Sequence, residues 1–254
     1  MTTVADLARM IDHSLLHPTM TKKDLTDGCL VAKRYQVASV CIKPCGVPLA
    51  IELLAGSGIA VGTVIGFPHG GSTTGIKVAE TIEACALGAT EIDMVVNIGQ
   101  VLGGEWDLVR REIEAVQTVS VSRGALVKVI FENDFLGLEA ISRLTELCNG
   151  VGVAFVKTST GYGFVKQADG QYNYKGATVE HLKLMRRVAL PTVQVKAAGG
   201  VRTLKDLLTV RALGVARVGA TATAAILDEA KKLVAEGVDL ATLVAAEARL
   251  SGGY

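Results

Sequence analysis

The sequence predicts an α/β protein, a single-domain (β/α)8 barrel. Short β-branched runs alternate with amphipathic helical patterns, and no linker-like stretch divides the 254 residues, a length at which α/β barrels commonly form one domain. Half of the residues are hydrophobic and only 4% are aromatic, which suits an aliphatic core around a closed parallel sheet. We therefore expect residues 1–254 to form one barrel domain with a short flexible C-terminal tail.

Seven β-branched runs, spaced as in strand-plus-helix units, predict seven strands. They are Ala38 to Ile42, Ala60 to Ile65, Glu91 to Val96, Leu126 to Phe131, Gly152 to Lys157, Thr192 to Lys196 and Ala216 to Val218. An eighth, weaker strand is predicted around Ile11 to Leu16, where Asp and His lower the β propensity. Eight units predict closure into a barrel.

Helical patterns lie between these runs, with apolar residues three or four apart. The clearest are Gly75 to Leu87 and Trp106 to Val119. Thr21 with Asp24, and Thr203 with Asp206, place a hydroxyl three residues before an acid, as an N-terminal capping box requires. The open doubly wound sheet is the alternative, but no Gly-x-Gly-x-x-Gly follows the first strand and no P-loop occurs.

The composition argues against several classes of function. The formal net charge of +1 argues against a nucleic-acid partner, which normally requires a basic face or stripe. The N-terminus meets charge at once and lacks the apolar core of a signal peptide. No later stretch approaches the roughly 18 apolar residues of a membrane span. We therefore expect a cytoplasmic protein without a membrane partner.

The cysteines and histidines favour chemistry without a metal or other cofactor. The five cysteines are scattered and odd in number, which fits reduced thiols better than a disulfide framework. Cys41 and Cys45 are the closest pair, and they make no zinc site without a second pair or clustered histidines. The four histidines include no metal-binding helix motif.

Two lysines in runs that otherwise look like buried strands are the main clue to function. Lys157 follows Val-Ala-Phe-Val, Lys196 follows Thr-Val-Gln-Val, and each is predicted to end its strand. Desolvation disfavours the charged form of a buried lysine, and a second ammonium nearby lowers its pKa further. The product is an amine that attacks carbonyl carbons to form imines. The pair therefore indicates Schiff-base chemistry.

Asp93 and Lys128 place further charges within predicted strands. Side chains alternate along a strand, so Asp93 shares a face with Asn97, and Lys128 shares one with Glu132. If these faces point into the barrel, they form a charged layer beside the C-terminal face where barrel enzymes carry their active sites. A structural ion-pair network is the favoured interpretation of Lys128, and for Asp93 both interpretations stay open.

Glycine-rich segments follow the last two predicted strands, where barrel enzymes often bind phosphate. Glycine lets phosphate approach backbone N–H groups closely, and the next helix contributes its positive end. Tight strand-to-helix turns use glycine as well, so both interpretations remain. The candidate phosphate-binding residues are Gly161, Gly199, Gly200, Gly219 and Ala220.

Six segments together form a specific family pattern. They are Ile11 to Leu16, Ser39 to Ile42, Val64 to Pro68, Glu91 to Asn97, Phe155 to Gly161 and Val195 to Arg202. At these residues the chain resembles the deoxyribose-phosphate aldolases, and the likeness covers nearly its whole length.

The resemblance implies a metal-free class I aldolase that interconverts 2-deoxy-D-ribose 5-phosphate with acetaldehyde and D-glyceraldehyde 3-phosphate. It implies that Lys157 is the Schiff-base lysine, that Lys196 lowers its pKa, and that Asp93 moves protons with Lys196. It also implies that the C-terminal Tyr254 helps to protonate the enamine, although chain ends are commonly disordered. The implied partners are aldehyde and sugar-phosphate substrates and, as a homodimer, a second copy of the chain.

Two segments depart from the family pattern. Gly219 to Thr223 carries fewer adjacent hydroxyls than the Ser-Ser of many members, which predicts a modest preference for phosphorylated sugar. The loop from Tyr162 to Lys175 is longer, and Lys166 or Lys175 could contact phosphate, or the loop could only cover the barrel mouth. The runner-up function is a Schiff-base aldolase for another sugar phosphate or for unphosphorylated deoxy sugars. A catalytically silent sugar-phosphate binder is disfavoured, because a binder gains nothing from a neutral lysine.

Overall fold

The computed structural model describes residues 2–243, and within them eight parallel strands close into a barrel in the order β1-β2-β3-β4-β5-β6-β9-β10. These strands are β1 (Ile11–Leu15), β2 (Ser39–Ile42), β3 (Ala60–Ile65), β4 (Glu91–Val95), β5 (Leu126–Ile130), β6 (Phe155–Lys157), β9 (Gln194–Ala198) and β10 (Arg217–Ala220). The predicted single-domain (β/α)8 barrel is confirmed. Tyr254 and the predicted tail lie outside the described residues.

Helices surround the barrel. They are α1 (Val4–Ala8), α2 (Lys22–Tyr35), α3 (Val47–Leu54), α4 (Thr74–Ala86), α5 (Ile98–Leu102), α6 (Trp106–Ser122), α7 (Leu138–Val151), α8 (Val179–Val188), α9 (Leu204–Ala212) and α10 (Thr223–Ala235). Both predicted capping boxes are present: Thr21 begins α2 with Asp24, and Thr203 begins α9 with Asp206. None of the helices described combines the length and the apolar character that a bilayer span needs.

The main core lies between the barrel and the helices. Strand residues alternate, so Ile92 and Met94 of β4 belong to this aliphatic core, whereas Asp93 between them joins an ion-pair cluster with basic side chains from other strands. Helix residues such as Ile113 and Val116 of α6 complete the core, and both are fully buried. The barrel thus encloses charge and packs apolar surface outward.

Several strand boundaries differ from the prediction, and those of β6 and β9 bear on the site. Gly152 takes a left-handed conformation (φ 76°) that ends α7, so the run predicted from Gly152 pairs only from Phe155. Strand β9 continues two residues past Lys196, because Ala197 and Ala198 pair with Val218 and Gly219 of β10. The prediction that Lys196 ends its strand is therefore wrong.

The long loop after β6 contains a short antiparallel hairpin, β7 (Val165–Lys166) and β8 (Tyr172–Asn173). The rings of Phe164 and Tyr174 pack edge to face at its base, with 5.3 Å between centroids. The carboxylate of Asp134 accepts hydrogen bonds from two consecutive backbone N–H groups at the end of this loop, at 2.6 and 2.9 Å. The loop is thereby fastened to the segment that follows β5.

Candidate active site

A polar pocket opens at the carboxyl ends of the strands, where a barrel places its active site. Its floor includes Lys157 of β6 and Lys196 of β9. The five residues predicted to bind phosphate all lie in its wall: Gly161, Gly199, Gly200, Gly219 and Ala220. The structure therefore brings these seven residues to one pocket from three strands and the loops that follow them.

The two lysines are direct neighbours in the sheet. Lys157 and Lys196 are Cα partners across the parallel pair of β6 and β9. Lys157 is 3% exposed and Lys196 is 0% exposed, so both side chains are almost fully removed from water. A parallel barrel achieves this arrangement because inward-pointing side chains of adjacent strands share one interior.

Asp93 of β4 joins the two amines. Its Oδ2 atom accepts a hydrogen bond from the Nζ of Lys157 at 2.7 Å and another from the Nζ of Lys196 at 2.8 Å. Its other oxygen, Oδ1, lies 3.3 Å from the Nζ of Lys128 without hydrogen-bond geometry. One buried carboxylate thus contacts three lysines.

The two neighbouring lysines have opposite pKa shifts. Burial lowers the pKa of Lys157, and the charge of Lys196 lowers it further, although Asp93 works in the opposite direction. Burial also disfavours the charged form of Lys196, but the carboxylates of Asp12 and Asp93 outweigh it and raise the pKa. Lys157 is thus the lysine that sheds its proton more readily, as a nucleophilic amine requires.

Asp93 is held as a carboxylate. Burial alone would raise its pKa, but Lys128, Lys157 and Lys196 lower it well below the ordinary range. In this resting arrangement Asp93 can accept a proton and Lys196 can donate one. The role that the family resemblance implies for Asp93, moving protons with Lys196, would therefore begin with Asp93 as the acceptor.

Asp12 of β1 is a buried site residue that the sequence analysis did not identify. Its Oδ2 atom lies 2.6 Å from the Nζ of Lys196 and 2.8 Å from the Nζ of Lys128. The available signal was a carboxylate within the short first strand, Ile11–Leu15. In the sequence this residue indicates only a weaker β propensity.

Two further ionisable groups lie close to Lys157. The thiol of Cys41 is buried, its Sγ atom is 3.9 Å from Oδ2 of Asp93, and burial raises its pKa to about 11. Glu132 follows β5 with a left-handed backbone (φ 58°), and its carboxylate accepts hydrogen bonds from the N–H and the hydroxyl of Thr160. Burial raises the pKa of Glu132 to about 7.

The glycine-lined wall of the pocket has backbone and cationic donors. Gly199 and Gly200 have φ values of 76° and 85°, a backbone conformation that favours glycine. Arg202 also lies in the wall, as do Tyr162 and Tyr174 from the long loop. Neither Lys166 nor Lys175 is part of that wall, and Lys175 lines a separate cavity beside Asp134 and His181. Within residues 2–243, no group of three or more His, Cys, Asp or Glu side chains is arranged to hold a metal ion.

Comparison with known proteins agrees with this geometry. The family model described as DeoC/LacD family aldolase matches residues 7–226. The deoxyribose-phosphate aldolase of Rhodopirellula baltica is 51% identical over 227 residues, which cover 89% of this chain and 90% of that protein. The same-named protein of Caldanaerobacter subterraneus is 44% identical over 228 residues, covering 89% of this chain and 94% of its own.

A solved structure shares the fold closely. The deoxyribose phosphate aldolase of Aeropyrum pernix, described as having a unique tetrameric structure, superposes with a TM-score of 0.80 at 29% identity, covering 91% of this chain and 93% of the other. The barrel and these relatives define an aldolase, a carbon–carbon lyase on a (β/α)8 scaffold. The chain belongs to the DeoC/LacD aldolase family.

Proposed function

We propose that the chain is a class I deoxyribose-phosphate aldolase, which cleaves 2-deoxy-D-ribose 5-phosphate reversibly to acetaldehyde and D-glyceraldehyde 3-phosphate. The observation that carries this proposal is the buried amine of Lys157, which shares Oδ2 of Asp93 with the amine of Lys196. The relatives from Rhodopirellula and Caldanaerobacter are named deoxyribose-phosphate aldolases, which supports the choice of deoxyribose phosphate as the substrate.

The proposed reaction begins at the aldehyde carbon of the open-chain sugar. The free amine of Lys157 attacks that carbon, a C–N bond forms, and the carbonyl oxygen takes a proton from the ammonium of Lys196. Asp93 accepts the proton that the attacking nitrogen loses. The carbinolamine hydroxyl then takes that proton from Asp93 and leaves as water, which gives the protonated imine. General acid–base catalysis of this kind contributes roughly 10²–10⁴-fold.

Cleavage breaks the bond between C2 and C3 of the sugar. The C3 hydroxyl loses its proton, the electrons of the C2–C3 bond move toward the protonated imine and neutralise its nitrogen, and glyceraldehyde 3-phosphate leaves. An enamine remains on Lys157, takes a proton at C2, and is hydrolysed to acetaldehyde and the free amine. Asp93 and Lys196 lie beside Lys157 and are the groups that we assign to these proton transfers.

We assign the phosphate to the glycine-lined wall of the pocket. Gly161, Gly199, Gly200, Gly219 and Ala220 offer backbone there, and Arg202 adds a cationic side chain. Tyr254 lies outside the described residues, so its role in protonating the enamine is proposed only from the family resemblance. A homodimer belongs to the proposal on the same basis, and light scattering would distinguish a dimer from the tetramer described for the Aeropyrum protein. We also propose a cytoplasmic location, which is the expectation from the sequence composition.

The experiment that tests this function is a turnover assay with 2-deoxy-D-ribose 5-phosphate, in which both aldehyde products are quantified. Equal amounts of the two products from the wild-type chain, and none from a Lys157→Met variant, would support the proposal. Cleavage of a different sugar phosphate, without cleavage of 2-deoxy-D-ribose 5-phosphate, would leave the proposed mechanism in place but assign another substrate. Product formation by the Lys157→Met variant at the wild-type rate would contradict the proposed nucleophile.

A further inference from the structure

Seven charged side chains from six strands meet inside the barrel among the described residues. Three are carboxylates and four are basic: Asp12, Glu91 and Asp93, with Lys128, Lys157, Lys196 and Arg217. We call this set the barrel cluster. With every group charged it carries one excess positive charge, and with one neutral lysine it balances. A buried excess charge is strongly disfavoured, so the balanced state is preferred.

Arg217 is a cluster member that lies outside the pocket. It is the first residue of β10 and is absent from the pocket wall. Its Nη1 atom lies 2.5 Å from Oδ1 of Asp12, and its Nη2 atom lies 3.5 Å from Oε1 of Glu91. Glu91 is likewise the first residue of its strand. The two residues therefore meet at the amino ends of the strands, away from the pocket.

A continuous chain of contacts joins Arg217 to the proposed nucleophile. Asp12 contacts Arg217 through one carboxylate oxygen and Lys196 through the other, at 2.5 and 2.6 Å. Lys196 in turn shares Asp93 with Lys157. The same three basic residues stand in register across β6, β9 and β10, with Lys157 beside Lys196 and Lys196 beside Arg217.

We infer that Arg217 is a positioning residue for the aldol reaction: it supplies the third positive charge that balances the carboxylates, so that Lys157 can remain a free amine. This inference rests on the proposed function of Lys157. Lys128 and Lys196 supply the other two charges, because each contacts two or more carboxylates. Lys157 contacts one, which it shares.

The opposite shifts in pKa support this assignment. Contacts with carboxylates raise the pKa of Lys128, Lys196 and Arg217 despite burial, whereas the pKa of Lys157 is lowered. Other ionisable groups that border Lys157 or its pocket are Cys41 of β2, Glu132 after β5, Tyr162 and Tyr174 of the long loop, and Arg202 after β9. Among the described residues, no ion pair joins Glu132 to the barrel cluster, and the raised pKa of Cys41 keeps it a neutral thiol.

The test is the pH dependence of imine formation between Lys157 and acetaldehyde, measured by cyanoborohydride trapping and peptide mass spectrometry from about pH 5 to pH 9. In Arg217→Met two lysines cannot balance three carboxylates, so Lys157 retains its proton to higher pH. We expect the acid limb to move to higher pH, with trapping at about pH 6 reduced roughly three- to tenfold more than at about pH 8. Arg217→Lys keeps the charge and should restore the wild-type profile.

Glu91→Gln provides a variant with the opposite expected shift. It removes one carboxylate and leaves the other cluster members in place, so the acid limb should move to lower pH. Two results would overturn the inference. In the first, Arg217→Met lowers trapping equally at every pH, as a purely structural role predicts. In the second, the pH profiles of trapping for wild type, Arg217→Met and Glu91→Gln superimpose. If Arg217→Met does not fold, the Glu91→Gln profile decides. If wild-type Lys157 forms no adduct at any pH, the proposed function fails and this inference fails with it.

Discussion

Lys157 and Lys196 donate to the same oxygen, Oδ2 of Asp93, at 2.7 and 2.8 Å. Because the two lysines are also Cα partners on neighbouring strands, a single buried carboxylate faces two amines. The pKa of one amine is lowered and that of the other is raised. The two amines therefore differ in pKa in the directions that the proposed nucleophile and proton donor require.

Replacing Asp93 with asparagine tests its part in proton transfer. Asparagine keeps the shape of the side chain, but it cannot accept a proton from the nitrogen of Lys157. It also lacks the negative charge that attracts the amines of Lys157 and Lys196. We expect kcat for cleavage of deoxyribose 5-phosphate to fall by roughly 10²–10⁴-fold. Asp107→Asn, on the exposed surface of α6, is the matched control. An Asp93→Asn enzyme with wild-type kcat would remove Asp93 from the mechanism.

The raised pKa of Glu132 predicts a pH-dependent stability. Its pKa is raised from 4.5 to about 7 by burial, so the unfolded chain releases this proton at lower pH than the folded chain does. The stabilising contribution is therefore present below about pH 4.5 and is lost as the pH rises through about 7. Glu132→Gln mimics the protonated form.

Urea unfolding of both proteins measures this contribution. The stability of the wild type relative to Glu132→Gln should fall by about 2 kcal/mol between about pH 5 and pH 8. Glu146→Gln, exposed on α7, is the control and should show no such trend. A difference between wild type and Glu132→Gln that does not change with pH would show that Glu132 does not titrate in this range.

The glycine-lined wall predicts how the enzyme distinguishes phosphorylated from free sugar. Arg202→Gln removes a cation from that wall, so KM for deoxyribose 5-phosphate should rise about tenfold, the loss of one charge-assisted contact. KM for unphosphorylated deoxyribose should not change. Arg187→Gln, exposed on α8, is the control. Equal effects on both sugars would place the phosphate elsewhere.

The wild-type preference itself is a separate prediction. Gly219 to Thr223 offers few adjacent hydroxyls, so we expect only a modest ratio of kcat/KM for phosphorylated over free deoxyribose. Competitive assays with both sugars measure this ratio directly. A preference of many orders of magnitude would show that the backbone groups and Arg202 suffice without those hydroxyls.

Cys41 and Cys45, four residues apart in the sequence, should differ in their rates of alkylation. Cys41 is 2% exposed and burial raises its pKa to about 11, whereas Cys45 is exposed. The thiolate is the reactive form, so iodoacetamide should label Cys45 well before Cys41. Peptide mass spectrometry over a time course measures both rates. Faster labelling of Cys41 would indicate that the pocket activates this thiol, for instance toward unsaturated aldehydes.

The sequence predicted the barrel because its strand periodicity and capping boxes are local signals. Lys157 and Asp93 could be identified from the sequence because each is a charged residue within a predicted strand of mainly apolar residues. The part that Arg217 plays could not be predicted, since an arginine at the start of a short strand is compatible with an exposed side chain. Only barrel closure, which sets β10 beside β1, brings it to Asp12. The hairpin after β6 was also missed, because two-residue strands leave almost no periodicity.

The central claim is that Lys157 is the nucleophile, and borohydride reduction in the presence of acetaldehyde tests it most directly. Peptide mass spectrometry should find one ethyl adduct, on Lys157, in wild type, and no adduct on Lys196 when Lys157 is replaced by methionine. An adduct on Lys196 in the wild-type chain, or the absence of any adduct in an enzyme that still cleaves the sugar phosphate, would contradict the account.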